Sequence, residues 1–194
     1  MKRDILKWVQ SFLRKELRNT RRRKRSSPII IAVLVIAVFA VSRLLEEPKA
    51  PLPAKGSELV CDVSKVSDGD TVRVSCENGT LSIRVYGIDA PEMGQKPWGD
   101  ESRQGLQALL PSSSVRLAVQ DIDRYNRVVA QLYVSDQDVG LEMVRQGYAA
   151  VYEQYNRFPI YQQAQAEAKR GQLGIWATPG AQQTPWEWRK LNPR

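Results

Sequence analysis

Three short stretches gather acids and arginines at close spacing. VSDGDTVRV, residues 66–74, sets Asp68 and Asp70 on either side of one glycine. RVYGIDAPE, residues 84–92, carries Arg84, Asp89 and Glu92 around Pro91. DIDRYNR, residues 121–127, adds Asp123, Arg124, Tyr125 and Arg127. Taken singly, these read as solvated turn and loop charges, because Asp and Gly favour turns. Asp70 is different. A β-branched run begins directly after it, and strands are depleted in Asp. A strand that opens on an acid needs a reason for that acid.

The types of side chain limit the chemistry. The 194-residue chain has no histidine, so Ser-His-Asp and Cys-His triads, a histidine general base and His-ligated zinc are all excluded. Two cysteines are too few for a cysteine-rich zinc site. Catalysis in this chain has to run on carboxylates, arginines and tyrosines, with a hard, oxygen-preferring metal ion as the natural helper.

The formal charge of +8 is unevenly placed. Residues 1–27 hold eleven Lys or Arg and two acids, whereas residues 28–194 hold eighteen basic and nineteen acidic residues. The basic character therefore belongs to the N-terminal arm and does not mark the folded part as a polyanion binder.

The elements that must position the charged clusters begin near Glu58. ELVCDVSKV, DTVRVSC and LSIRVYGI alternate apolar and polar residues over most of their length, which predicts three strands. Asn78-Gly79 between the second and third is a hairpin signal. DESRQGLQALL, 100–110, reads as a helix stopped by Pro111. SVRLAVQD and RVVAQLYV are two further strands, and DVGLEMVRQG is a helix ending at Gly147. A last helix starts near Pro159, a residue suited to a first helical position, and ends at Gly171. Five strands with a helix between the third and fourth predict an α+β, mainly β domain: a five-stranded OB-type Greek-key barrel with three helices. A split α+β sheet is the alternative.

The segments before the domain point to a membrane. In residues 1–20, Ile5, Trp8, Val9, Phe12 and Leu13 recur at helical spacing among basic residues, as in a helix lying on an anionic surface. RRRKR at 21–25 completes a basic arm over 1–27. Residues 28–45 contain PIIIAVLVIAVFAV and approach the roughly 20 residues that cross a bilayer, with Arg43 reaching to the interface. The preceding cluster predicts a single-pass anchor in the cell (inner) membrane with a cytoplasmic N-terminus and a periplasmic or extracellular domain. A cleaved signal peptide is the rival, but the leading polar region of about 27 residues is long for one. Residues 46–57, EEPKAPLPAKGS, read as an exposed linker. Residues 58–178 form the expected domain and 179–194 a C-terminal tail.

Cys61 and Cys76 fall in the first two strands, with their midpoint at the DGD turn. They face each other in a simple hairpin, where a disulfide is geometrically open and persists outside the cytoplasm. Two separate small core residues fit equally.

DGDT, then IRVYGIDAPE, then DRYNR, in this order, resembles the thermonuclease (staphylococcal-nuclease-like) family. The resemblance runs from about Val63 to Trp176 and includes the WGDES helix start, MVRQGYA and GIW; the tail PWEW at Pro185 to Trp188 is similar to that of many bacterial members. It implies a five-stranded OB barrel with three helices. It also implies calcium-dependent hydrolysis of phosphodiester bonds in DNA and RNA with little sequence specificity, leaving 3′-phosphates and 5′-hydroxyls. Position by position, Asp70 and Asp89 match the metal carboxylates. Ala90 matches the residue whose backbone carbonyl meets the metal, where the best-known member has Thr. Glu92 matches the acid that orients or deprotonates the attacking water, and Arg84 and Arg127 the phosphate clamps. Tyr125 and Arg124 match the loop beside the bound nucleotide, and Tyr152 and Tyr155 fall near a second such region.

Two other readings compete. One is a noncatalytic OB module binding nucleic acid or protein at the membrane, since folds host many functions. The other is a membrane-assembly subunit in which the arm and apolar segment are the working part. Every acid and arginine that the resemblance requires is present, which favours the nuclease.

Overall fold

The structure is a computed structural model and describes residues 35, 36, 38, 50–110, 114–156 and 158–193. The chain divides into two units, residues 1–47 and 48–194. Of the first, Val35, Ile36 and Val38 are described, and they are helical and exposed. The basic arm over 1–27, the rest of the 28–45 anchor and the stop at Pro111 lie outside the described residues. Among the described residues no helix is long and apolar enough to cross a membrane.

Among its described residues the second unit holds eight strands: β1 (Glu58–Val66), β2 (Thr71–Cys76), β3 (Gly79–Val85), β4 (Ile88–Asp89), β5 (Ser114–Ile122), β6 (Val128–Val134), β7 (Gln137–Asp138) and β8 (Ala150–Val151). Five of them make a closed barrel. β1 pairs antiparallel with β2 through its second half and with β5 through its first half. β2 pairs with β3, and β5 with β6, also antiparallel. β3 then meets β6 in parallel, with Ile83 opposite Val128, and the sheet closes on itself. Closure leaves few free edges.

Period-two alternation explains why these strands form one wall. Val72 and Val74, Leu81, Ile83 and Val85, Val115, Leu117 and Val119, and Val128, Ala130 and Leu132 all point inward and are buried. Each fully buried Val, Leu or Ile contributes about 1.5–3 kcal/mol of apolar burial. The β2–β3 turn falls on Glu77 and Asn78, with Cys76 opposite Gly79, so Gly79 is the first strand residue rather than part of the loop. Cys61 and Cys76 are joined by a disulfide across β1 and β2.

Four helices are described: α1 (Trp98–Leu109), α2 (Val139–Arg145), α3 (Pro159–Arg170) and α4 (Pro185–Leu191). The sequence predicted three. The fourth lies in the segment read as a tail, where Pro185 starts a helix of two turns. Asp138 caps α2 by accepting from Leu141 N–H at 3.1 Å, and the Tyr161 hydroxyl of α3 donates to the same carboxylate at 2.9 Å. α2 ends at Arg145, before the predicted Gly147, whose φ is +74° and whose added Cβ would sit 2.3 Å from the Leu173 carbonyl. α3 stops before Gly171 as predicted, but the left-handed residue is Gln172, φ +52°.

Candidate active site

The barrel brings the three charged clusters to one open pocket, lined by Asp68, Asp70, Arg84, Pro91, Glu92 and Arg127 among others. Asp70 does not open a strand. It is the residue just before β2, and Thr71 is the first paired residue, opposite Arg84. Asp70 is still locked by backbone, since Val85 N–H donates to its carbonyl at 2.8 Å. Its own N–H donates to Asp68 Oδ1 at 3.1 Å, so Asp68 shapes the turn. Gly69 is there because nothing larger fits: an added Cβ would lie 1.9 Å from Ser102 Oγ of α1 and 2.7 Å from Ala90 Cβ.

Asp70 and Asp89 are 3% and 0% exposed. Asp89 is held on β4, which pairs with β8 through Asp89 opposite Ala150. Arg84 bridges the two acids, with Nη1 to Asp70 Oδ1 and Nη2 to Asp89 Oδ1, each at 2.5 Å. Asp70 also accepts from Ala90 N–H at 2.9 Å and from the Thr71 hydroxyl at 3.0 Å. These charge-assisted bonds offset the desolvation of two buried carboxylates.

The ionisation equilibria reflect this crowding. Burial, then the neighbouring Asp70 charge, raises the Asp89 carboxyl above its usual range, against the pull of Arg84 and Arg189. Burial and Asp70 push Asp68 up to about 6. Burial works against the Arg84 charge, but Asp70 and Asp89 outweigh it and raise that guanidinium further.

Glu92 stands in the segment between β4 and α1. The helix fixes its backbone: an added Cβ on Gly99 would lie 2.2 Å from the Glu92 carbonyl oxygen. Gln95 adds a clamp, accepting from Glu92 N–H at 2.9 Å.

Arg127 is aimed by its loop. Its Nε donates to Asp123 Oδ2 at 2.7 Å, and Asp123 Oδ1 accepts from the N–H groups of Tyr125 and Arg127. Nη1 reaches the Thr71 hydroxyl at 3.5 Å, which ties this loop to the Asp70 turn. Tyr125 is 64% exposed, with the Arg124 and Arg127 guanidiniums 4.8 and 5.6 Å from its ring centroid. Tyr152 and Tyr155 do not line the pocket. The Tyr152 ring stacks on Trp186 of α4 at 5.7 Å and meets Tyr155 edge-on at 4.9 Å.

One site residue escaped the sequence reading. Arg189 of α4 donates through Nη2 to both oxygens of Asp89 at 2.9 Å and through Nη1 to Glu92 Oε1 at 3.0 Å. Burial opposes its charge, and Asp89 and Glu92 together raise its pKa. The only local signal was the PWEW that precedes it.

Asp70, Asp89 and the Ala90 carbonyl offer only oxygen, and no histidine or thiolate is near. Such a donor set suits a hard divalent cation. Among the described residues no three acidic, histidine or cysteine side chains form a cation cage. A cation here therefore needs water and ligand oxygens to complete its shell, which calcium tolerates with six to eight oxygens in loose geometry.

Residues 82–178 match the family model described as staphylococcal nuclease homologue. An uncharacterized endonuclease of Haemophilus influenzae is 41% identical over 131 residues, covering 67% of this chain and 72% of that protein. A micrococcal nuclease of Shigella flexneri is 34% identical over 142 residues, covering 68% and 80%. An uncharacterized endonuclease of Escherichia coli is 38% identical over 128 residues, covering 66% and 82%. With its closed barrel, its pocket of acids and arginines, and this extent of similarity, the chain belongs to the staphylococcal nuclease homologue family.

Proposed function

We propose that the chain is a calcium-dependent nuclease that hydrolyses phosphodiester bonds of DNA and RNA with little sequence specificity. The observation that carries this reading is the convergence of Asp70, Asp89, Glu92, Arg84 and Arg127 on one side of the barrel, in a family whose similar members include proteins named as nucleases.

Asp70, Asp89 and the Ala90 carbonyl would hold the ion. Calcium, when bound, draws charge from a phosphate oxygen and so favours attack on phosphorus. Glu92 orients a water and accepts its proton as the water oxygen bonds to phosphorus. The bond from phosphorus to the 5′-oxygen breaks, and the leaving oxygen takes a proton from solvent, giving a 3′-phosphate and a 5′-hydroxyl. Arg84 and Arg127 present planar forks to the phosphate oxygens and stabilise the growing charge. In the present arrangement both arginines are paired with aspartates, so phosphate competes with Asp70, Asp89 and Asp123 for them. Tyr125, with Arg124, offers an exposed ring for a base; stacking tolerates any sequence.

The domain is further proposed to lie outside the cytoplasm, tethered in the membrane lipid by residues 28–45 with the arm inside. The basic run before the apolar segment supports this orientation, and so does a Cys61–Cys76 disulfide, a bond that persists in oxidising compartments.

The chemistry is tested by end analysis of digested, labelled single-stranded DNA. Products that carry 3′-phosphate and accept a label at their 5′-hydroxyl directly are expected. Ends bearing 5′-phosphate would overturn the reading.

A further inference from the structure

The family match ends at residue 178, and the acids of the site are all contributed by residues before it. Yet the guanidinium that touches both Asp89 and Glu92 comes from α4, in the last ten residues of the chain. We propose that Arg189 is a positioning residue of the active site: it tethers Glu92 in its place beside Asp89, and until a cation binds it shares with Arg84 the counter-charge for Asp89. This rests on the nuclease reading given above.

Three features hold α4 and the chain before it in place. Trp186 lies parallel to Tyr152, with 9° between ring planes. Trp188 covers the segment after Glu92 so closely that an added Cβ on Gly94 would be 3.2 Å from its ring. Gln95, which holds Glu92 N–H through its oxygen, donates through Nε2 to the Ala181 carbonyl at 3.0 Å. The chain before α4 and the loop of Glu92 are thus one hydrogen-bonded assembly.

The fork geometry matters. One nitrogen faces Asp89 and the other faces Glu92, so a single rigid plane sets the distance between the two carboxylates. The same contact places a positive charge on oxygens that a cation needs. Removing Arg189 therefore has two opposite effects. The pocket becomes more negative and takes a cation more readily. Glu92 loses one of its tethers and orients water less well.

The test uses the full-length chain and the variants Arg189→Ala and Arg189→Gln. Gln keeps a donor and most of the packing without the charge, so it separates the contact from collapse of α4. Calcium affinity is read by calorimetry, turnover on single-stranded DNA as kcat and KM, and folding by thermal melting. The expected result is calcium bound at least threefold tighter, kcat lowered at least tenfold and KM within threefold, at temperatures where the variants are folded. A variant that melts lower but keeps wild-type kcat or wild-type calcium affinity overturns the proposal, because a purely structural helix moves only the melt. If the wild type cuts nothing, the nuclease reading fails by itself; the Arg189 contact is then judged on calcium affinity alone, and no tightening in either variant overturns it too.

Discussion

Arg84 and Asp70 meet at 2.5 Å because the β2–β3 register sets Arg84 opposite Thr71, one residue beyond Asp70. The same guanidinium reaches Asp89, so one strand residue determines the separation of both proposed metal acids. Arg84→Ala is expected to lower kcat by about 10²–10³, the usual effect of losing one preorganised donor. It also leaves two buried carboxylates short of a counter-charge. In chelator the variant is expected to lose about 2–3 kcal/mol, less than the roughly 3–5 for a fully buried pair, because Arg189 still faces Asp89 and Arg84 is 16% exposed. Calcium restores part of this. Urea unfolding with and without calcium checks both signs.

Glu92→Gln keeps the shape of the side chain and the contact of Arg189 with an amide oxygen, but removes the charge and the proton acceptor. Turnover is expected to fall by about 10²–10⁴, with KM little changed. Steady-state kinetics on single-stranded DNA decides it, and a variant with wild-type kcat removes Glu92 from the reaction.

Asp68 makes the metal-free protein less stable as pH rises. Its carboxyl sits at about 6 in the folded chain against 3.8 ordinarily. Between those values the folded state holds the extra proton, so stability falls through that window and stays lower above it. Asn at this position can still accept from Asp70 N–H. Asp68→Asn in chelator is therefore expected to be about 1–3 kcal/mol more stable at pH 7.5, with the difference closing below pH 4. Urea midpoints at the two pH values measure it, and a less stable variant at pH 7.5 contradicts it.

The Cys61–Cys76 bond closes the hairpin whose turn carries Asp68 and Asp70, over a separation of 15 residues. Reduction, or Cys61→Ser with Cys76→Ser, is expected to cost about 3 kcal/mol, the loop-entropy value for that length. Denaturation with and without reductant reads it.

Much of this architecture was legible in the sequence, for identifiable reasons. β1 occupies the residues read for it, 58–66, because alternation and flanking turn residues are local signals. Asp70, Asp89, Glu92, Arg84 and Arg127 were legible as a set by resemblance, while spacing alone left each as a loop charge. The barrel itself was legible from strand order, but the pair that closes it was not, since the parallel β3–β6 pairing depends on contacts far apart in sequence. Arg189 was hidden for the same reason. It is 97 residues from Glu92, on a helix of seven residues with little pattern of its own. The stacking of Tyr152 on Trp186 likewise needs α4 in place before it can be seen.

The central claim is tested most directly by incubating the full-length chain with single-stranded DNA, duplex DNA and RNA in calcium, in magnesium and in chelator, with Arg84→Ala and Glu92→Gln alongside. Cleavage is expected in calcium and not in chelator, and both variants are expected to cleave far less. A folded, calcium-loaded wild type that cuts none of the three contradicts it, and leaves a noncatalytic binding barrel in its place.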